Sequence, residues 1–322
     1  MFRNVVCKRG GEPHDKRWEA MSLDIGIVGL GKMGANIALN FKDHGHRVVG
    51  YDQSTDAARH ACDHGIEVAE TFERLASALP ERKVVWLMVP CGQPTEEAVG
   101  RALELLGQGD VLIDGGNSFY KDSIRHAQLA AKKGVLFLDA GTSGGTSGAR
   151  NGACLMVGGD REAYELVEEA LADVTINGGL MYTGPAGSGH FMKMVHNGIE
   201  YGMMQAIGEG MSVLAHSEYD YDLAAVAENW NHGSVVRGWL MELAEEKLRA
   251  HPGLEDIKGV VAASGEAKWT VETALELEVP VPVIALSLMA RNASQEEDSF
   301  ACKMVSALRN GFGGHDVVKA GE

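Results

Sequence analysis

Hydrophobic residues in the first half of the chain form short continuous runs, each followed by small polar residues and then by helical periodicity. These runs lie at residues 23–28, 47–51, 83–89, 111–114, 135–139 and 154–157. Such runs are typical of strands buried on both faces, and their alternation with helices predicts a mostly parallel sheet. After about residue 184 the strand signals stop and helical periodicity continues to the end. The pattern predicts an α/β fold, with an N-terminal doubly wound, mostly parallel sheet followed by an all-α C-terminal domain.

These changes of pattern set the expected domain boundaries. Residues 1–21 carry several basic side chains without an apolar core and are predicted to be a disordered extension. Residues 22–183 are predicted to form the sheet domain. Residues 184–322 are predicted to form the helical domain, which ends in a glycine-broken C-terminal tail.

A glycine pattern follows the first predicted strand. G-x-G-x-x-G occupies residues 29–34, a helix is predicted from Ala35 to about His44, and the second strand ends at Asp52. In this strand–turn–helix context the glycines permit a tight turn and close approach to a pyrophosphate, which the helix N-terminus attracts. The pattern predicts a Rossmann-type dinucleotide-binding domain. The expected cofactor-binding residues are Gly29, Leu30, Gly31, Lys32, Met33, Gly34 and Asp52, with Val89 and Asn117 after later strands.

Asp52 also indicates which dinucleotide is preferred. A carboxylate at this position accepts hydrogen bonds from the ribose 2′-hydroxyl and repels a 2′-phosphate. The next residues are Gln53 and Ser54, so no arginine is present to bind such a phosphate. NAD is therefore expected in preference to NADP. The alternative is that Asp52 is only a turn residue at a strand end.

Composition narrows the class of partner. A formal net charge of -16 argues against nucleic acid as a ligand. The five cysteines are odd in number and form no C-x-x-C pair, which favours a reduced, cytoplasmic protein. No apolar run approaches the roughly 18 residues of a membrane span. The histidines and the cysteine at residues 44–64 lack zinc-type spacing, so no metal is expected.

The sequence from Gly187 to Tyr201 predicts a glycine-rich turn that leads into a helix. Lys193, His196, Asn197 and Glu200 are spaced to share one helical face. A lysine and a carboxylate together are typical of general acid/base chemistry. The alternative is a solvated polar face with one charge pair. The opposite faces carry Met192, Val195 and Ile199, which can pack.

Several motifs together resemble one family. They are I-D-G-G-N-S at 113–118, S-G-G at 143–145, G-H-F-M-K-M-V-H-N-G-I-E-Y at 189–201 and K-W-T at 268–270. The chain resembles the short form of the decarboxylating 6-phosphogluconate dehydrogenases, within the β-hydroxyacid dehydrogenase superfamily. The resemblance implies oxidation of 6-phosphogluconate to ribulose 5-phosphate and CO2, with reduction of the nicotinamide and no metal. It places the protein in the pentose phosphate pathway and gluconate utilisation.

The resemblance also implies a role for each matched residue. Lys193 is the expected general base at the C3 hydroxyl, and Glu200 the acid that protonates C1. The residues expected to hold the substrate carboxylate and hydroxyls are Asn117, Ser143, Gly144, Gly145, His196 and Asn197. The residues expected to bind the phosphate are Tyr201, Arg291, Arg309 and His315.

In the resembled family the arginine–histidine tail reaches the active site of the neighbouring subunit. A homodimer is therefore implied, with a tetramer as the alternative, and the helical domain is expected to serve both substrate binding and dimerisation. One departure is Ser264, which stands where long-form members carry a phosphate-binding lysine. This exchange weakens the expectation for the phosphate site.

Two other functions remain open. A dehydrogenase of the 3-hydroxyisobutyrate type shares the sheet, the glycine pattern and the lysine. However, an enzyme that oxidises a small unphosphorylated acid needs neither Glu200 nor the phosphate-end residues Tyr201, Arg309 and His315. A non-catalytic dinucleotide sensor would have no need of Lys193 and Glu200 on one helical face.

Overall fold

The computed structural model describes residues 22–319, which form two compact units. The first contains residues 22–118 and Asp122–Gly189, and the second contains Phe119–Lys121 and residues 190–319. The predicted disordered extension at residues 1–21 lies outside the described residues.

The first unit is built on an eight-stranded sheet in the order β3-β2-β1-β4-β5-β6-β7-β8. Neighbouring strands are parallel except for the β6–β7 pair, so the predicted mostly parallel sheet is confirmed. The strands are β1 Asp24–Val28, β2 Arg47–Tyr51, β3 Glu67–Val68, β4 Val84–Leu87, β5 Val111–Asp114, β6 Leu136–Ser143, β7 Ala153–Gly159 and β8 Thr175–Gly184. The sequence patterns missed the two edge strands, β3 and β8.

Helices connect the strands of this unit. They are α1 Lys32–Asp43, α2 Thr55–Asp63, α3 Phe72–Ala78, α4 Gln93–Leu105, α5 Tyr120–Ala131, whose first two residues belong to the second unit, α6 Gly145–Asn151 and α7 Arg161–Asp173. α1 begins three residues before the predicted Ala35, because Gly31 already occupies the cap position with extended backbone angles. The first helical turn therefore contains the end of the glycine pattern.

Alternate strand residues divide the core of this unit into two layers. Ile25, Ile27 and Trp86 pack in one cluster, whereas Val85 and Leu87 pack in the other. The central strands β4 and β5 are buried along their whole length. Burial on both faces explains why their sequences are continuous apolar runs.

The second unit is helical among its described residues. Its helices are α8 Ser188–Ala215, whose first two residues belong to the first unit, α9 Leu223–Asn231, α10 Trp239–Ala250, α11 Gly265–Glu276, α12 Pro282–Ala293 and α13 Phe300–Gly313. α8 is the longest, at 28 residues. Within residues 22–319, no helix combines the length and apolarity that crossing a bilayer requires.

The C-terminal tail differs from the prediction. The expected glycine-broken tail is instead the helix α13, which contains Gly311 and ends before Gly314 in a left-handed conformation with φ of 63°. A glycine at this position is a common helix terminator. None of the residues in α13 is buried within the chain.

Replacement of Gly189 by alanine tests how closely the start of α8 packs on the sheet. A Cβ at Gly189 would lie 2.5 Å from the carbonyl oxygens of both Asp139 and Met156. Because backbone atoms cannot move aside cheaply, we expect Gly189→Ala to lower the free energy of unfolding by about 2–3 kcal/mol. The measurement is chemical denaturation followed by circular dichroism.

Gly100→Ala is the matched control. Gly100 lies within α4, and a Cβ there would meet no described atom within 4 Å. Alanine in an open helix interior should raise the free energy of unfolding by about 0.5–1 kcal/mol. Equal effects of the two substitutions would contradict the close packing at Gly189.

Candidate active site

The turn between β1 and α1 has the geometry that the glycine pattern predicts. Gly29 has φ of 96°, and its N–H donates to the Tyr51 carbonyl oxygen at 2.8 Å. A Cβ on Gly34 would lie 1.9 Å from the Gly29 oxygen, so only glycine permits this contact between helix and turn. A Cβ on Gly31 would meet no described atom within 4 Å. The backbone at Gly31 is therefore open to a ligand.

The N-terminus of α1 suits an anion. The cap residue Gly31 has no side chain to accept hydrogen bonds from the first-turn N–H groups, and that turn contains no acidic residue. These N–H groups and the helix dipole favour negative charge at this end. The residues present thus fit the pyrophosphate of a dinucleotide.

Asp52 lies directly after β2 and holds the same turn. Its Oδ2 accepts from the Leu30 N–H at 2.6 Å, and its Oδ1 accepts from the Ser54 N–H at 2.7 Å. Asp52 therefore has the turn role that was the alternative interpretation. Each carboxylate oxygen has a second lone pair, so the side chain can still accept from a ribose hydroxyl.

The other predicted residues of this unit follow strands of the same sheet. Val89 follows β4, Asn117 follows β5 and is exposed, and Ser143 ends β6. Gly144 and Gly145 have φ of 111° and 59° and begin α6. Because β1, β2, β4, β5 and β6 are parallel, all these positions lie at the carboxyl edge of the sheet, where α/β proteins bind ligands.

In the second unit, Lys193 has a buried amine with a defined partner. Lys193 is 8% exposed, and its Nζ donates to Oδ1 of Asn197 at 2.7 Å. Nδ1 of His196 lies 2.9 Å from the same oxygen. The structure therefore brings together three of the four residues predicted to share this helical face. A lysine buried in this way is unlike the solvated charge of the alternative interpretation.

The fourth residue, Glu200, lies one turn further along α8. Its Oε2 is 3.9 Å from Nδ1 of His196, and both side chains are 40% exposed. Glu200 is thus accessible to a ligand while Lys193 is shielded. The two side chains therefore differ in their exposure to solvent.

Glu266 was missed by the sequence analysis. It is 4% exposed, lies in the first turn of α11, and its Oε1 accepts from Nδ2 of Asn197 at 3.2 Å. The sequence feature that could have identified Glu266 is its position two residues before the K-W-T motif. Oγ1 of Thr270 in that motif lies 2.8 Å from the carbonyl oxygens of both Met194 and Glu266, which share its one hydroxyl hydrogen.

Tyr201, Ser264 and Arg291 form a second cluster. The Tyr201 hydroxyl lies 2.9 Å from Oγ of Ser264 and accepts from the Ser264 N–H at 3.1 Å. The Arg291 guanidinium carbon lies 3.3 Å from the centroid of the Tyr201 ring. A stacked arginine beside hydroxyl groups can bind a phosphate. Ser264 provides a hydroxyl here, not the positive charge of a lysine.

The two remaining predicted residues lie apart from these clusters. Arg309 is an exposed residue of α13, and His315 follows the helix. Neither side chain forms an ion pair with another residue in the described part of the chain.

Two apolar residues of α8 that the sequence leaves able to pack are exposed within the single chain. Met192 is 39% exposed and Ile199 is 52% exposed. The face opposite the polar cluster therefore presents apolar side chains outward.

Comparison with known proteins agrees with this geometry. Residues 24–184 match the NAD binding domain of 6-phosphogluconate dehydrogenase, and residues 189–310 match the C-terminal domain of 6-phosphogluconate dehydrogenase. Together the two matches cover nearly all of the described chain.

Individual relatives give the same result. YqeC of Bacillus subtilis, provisionally named a 6-phosphogluconate dehydrogenase, is 51% identical over 92% of this chain and 100% of its own length. An NAD(+)-dependent, decarboxylating 6-phosphogluconate dehydrogenase of Haloferax volcanii is 43% identical over 92% and 99%. The solved 6-phosphogluconate dehydrogenase of Plasmodium falciparum has a TM-score of 0.79 and 31% identity, covering 93% of this chain and 67% of its own. The chain belongs to the 6-phosphogluconate dehydrogenase family.

Proposed function

We propose that the protein catalyses the oxidative decarboxylation of 6-phosphogluconate to ribulose 5-phosphate and CO2, with NAD as the preferred oxidant. The observation that carries the proposal is the buried Lys193 amine, held by Asn197 on the helix that also presents Glu200. The Haloferax relative, named NAD(+)-dependent and decarboxylating, supports both the reaction and the oxidant.

Lys193 has two tasks in the proposed reaction. As a neutral amine it accepts the proton of the C3 hydroxyl while hydride leaves C3. As an ammonium it then holds the C3 oxygen, where negative charge develops as CO2 departs. Its contact with Asn197 suits both forms, because Oδ1 can accept a hydrogen bond from an amine or an ammonium. Bound NAD would accept the hydride.

Glu200 completes the reaction by protonating C1 of the enediol that decarboxylation leaves, while the hydroxyl on the former C3 gives its proton back to Lys193. Its exposure allows it to be resupplied with a proton from solvent. We assign the carboxylate and hydroxyls of the substrate to Asn117, Ser143, Gly144, Gly145, His196 and Asn197. The turn at residues 29–34, Asp52 and Val89 are the proposed contacts of the cofactor.

For the phosphate we propose Tyr201 and Arg291, with Arg309 and His315 from the neighbouring subunit of a homodimer. The exposed apolar residues of α12 and α13 support a dimer, because surfaces of this kind are usually covered by a partner. They are Val283, Leu286, Met289, Phe300, Met304, Val305, Leu308 and Phe312. We further propose that the enzyme works in the cytoplasm, which the cysteine pattern favours.

The first experiment measures reduction of NAD and NADP in parallel, with 6-phosphogluconate, gluconate or 3-hydroxyisobutyrate as substrate. Turnover of 6-phosphogluconate with NAD, accompanied by CO2 release, is the expected result. Activity on 3-hydroxyisobutyrate alone would instead identify a dehydrogenase of small acids. Binding of NAD without turnover of any acid would identify a sensor.

Replacement of Lys193 by methionine tests the proposed base. Methionine retains most of the buried volume but cannot accept a proton. We expect kcat for 6-phosphogluconate to fall by at least about 10²–10⁴-fold, while the Kd of NAD stays unchanged. Lys247→Met, at an exposed position on α10, is the matched control and should keep full activity. Weaker NAD binding in Lys193→Met would indicate a structural lysine.

Replacement of Asp52 by asparagine separates its two roles. Asparagine keeps one acceptor oxygen for the turn but removes the negative charge. Loss of the contact with the ribose should narrow the preference for NAD. The Kd of NADP divided by the Kd of NAD should fall by about tenfold. If the substitution only damaged the turn, it would weaken the binding of NAD and NADP equally. That outcome would argue against the ribose contact. Titration calorimetry with each cofactor measures the two constants.

Replacement of Arg291 by glutamine tests the phosphate site. The loss of a charge-assisted hydrogen bond should raise KM for 6-phosphogluconate by about 10–100-fold. Gluconate has no phosphate, so its kcat/KM should not change. Steady-state kinetics with both substrates decides between phosphate binding and a general effect on the helical unit. Equal losses on the two substrates would refute the assignment.

A further inference from the structure

The carboxylate of Glu266 has no role in the reaction described above, yet it is buried beside the residues that perform it. Its Oε1 accepts from Nδ2 of Asn197 at 3.2 Å. Its Oε2 is also buried and has no hydrogen-bond partner among residues 22–319. An acid is seldom fully buried unless it is paired, so its placement here calls for a physical reason.

We infer that Glu266 is a positioning residue that orients the side-chain amide of Asn197 and, through it, the amine of Lys193. The hydrogen bonds form one path, from Nζ of Lys193 to Oδ1 of Asn197, and from Nδ2 of Asn197 to Oε1 of Glu266. The catalytic consequence of this inference rests on the proposed function, because Lys193 is the proposed base.

The hydrogen-bond donors and acceptors around Asn197 explain the orientation of its side-chain amide. A carboxylate only accepts hydrogen bonds, so the NH2 group of Asn197 must face Glu266. Oδ1 is then left for Lys193 and His196. In the reversed orientation the NH2 group would oppose the ammonium, which also only donates, and Oδ1 would face the carboxylate. Glu266 thereby makes one of two amide orientations strongly preferred.

A fixed acceptor matters because the amine of Lys193 changes its charge during the proposed cycle. Oδ1 accepts a hydrogen bond in both states, and the carboxylate behind the amide strengthens it as an acceptor. The backbone of Glu266 is itself held, since its carbonyl oxygen accepts from Oγ1 of Thr270 at 2.8 Å. Misplacement of a reacting group by about 1 Å can cost roughly 100-fold in rate.

The first test replaces Glu266 by glutamine, which has nearly the same shape, and by alanine. We expect kcat for 6-phosphogluconate to fall about tenfold in Glu266→Gln and about 100-fold in Glu266→Ala, with the Kd of NAD unchanged. The matched control is Glu272→Gln, at a half-exposed position on the same helix, which should keep full activity. Full activity of Glu266→Gln would overturn the inference.

A double-mutant cycle with Asn197→Ala shows whether Glu266 acts through Asn197. If it does, Glu266→Gln should lower kcat about tenfold in the otherwise wild-type enzyme. In the Asn197→Ala background the same substitution should lower kcat by less than about twofold. Independent, multiplicative losses would mean that Glu266 acts by another route and would overturn the inference. The cycle uses only the isosteric variant of Glu266, so an unfolded Glu266→Ala protein would not affect it.

A third measurement does not depend on turnover. The rate at which a small acylating reagent modifies Lys193 is followed by mass spectrometry, with the exposed Lys258 as internal reference. Removal of the charge at Glu266 should free the amine and raise the relative rate severalfold. If the wild type oxidises no acid, the proposed function fails, while a changed rate still supports the positioning role. An unchanged relative rate at Lys193 would overturn that role.

Discussion

The polar site of the helical unit depends on how closely α8 and α11 cross. At the crossing, a Cβ on Gly198 would lie 2.9 Å from Cγ2 of Thr270. Oγ1 of Thr270 donates to the Met194 carbonyl oxygen at 2.8 Å, so a side chain of one helix bonds to the backbone of the other. Glu266 lies one turn before Thr270, and Asn197 directly precedes Gly198. Close contact at the crossing therefore lets a short amide reach a carboxylate on the neighbouring helix.

The same crossing makes the burial of charge tolerable. Lys193 and Glu266 are both more than nine-tenths buried, and either one alone would pay a large desolvation penalty. Asn197 lies between them, with its oxygen toward the amine and its NH2 group toward the carboxylate. The amide bridges the two side chains, with one hydrogen bond to the amine and one to the carboxylate.

Much of the sheet could be predicted, because its signals are local. The central strands are continuous apolar runs, and the glycine pattern at residues 29–34 is recognised from its spacing in the sequence. β3 and β8 were missed for a physical reason. They lie at the sheet edges, where burial is partial, so neither sequence shows a clear apolar run. α13 was taken for a tail because its glycines suggest breaks, although Gly311 lies within the helix.

The site was predicted in part, for a related reason. Helical periodicity placed Lys193, His196, Asn197 and Glu200 on one face without knowledge of the fold. Glu266 could not be found in that way, because its partner lies 69 positions earlier in the sequence, at Asn197. Nothing in the sequence around Glu266 shows that its side chain is buried. Tertiary pairs of this kind become visible only when two helices are placed against each other.

The helical unit leaves more apolar surface uncovered than its own helices can pack. α13 has no buried residue, and Phe300 and Phe312 are 75% and 80% exposed. Two large aromatic side chains on one helix would be costly to leave in water, at about 25 cal/mol for each Å² of apolar area. The sheet unit shows the opposite behaviour, since its central strands are completely covered. Folding of one chain thus covers the central strands of the sheet but leaves α13 uncovered, and in the proposed homodimer a second copy of the chain would cover it.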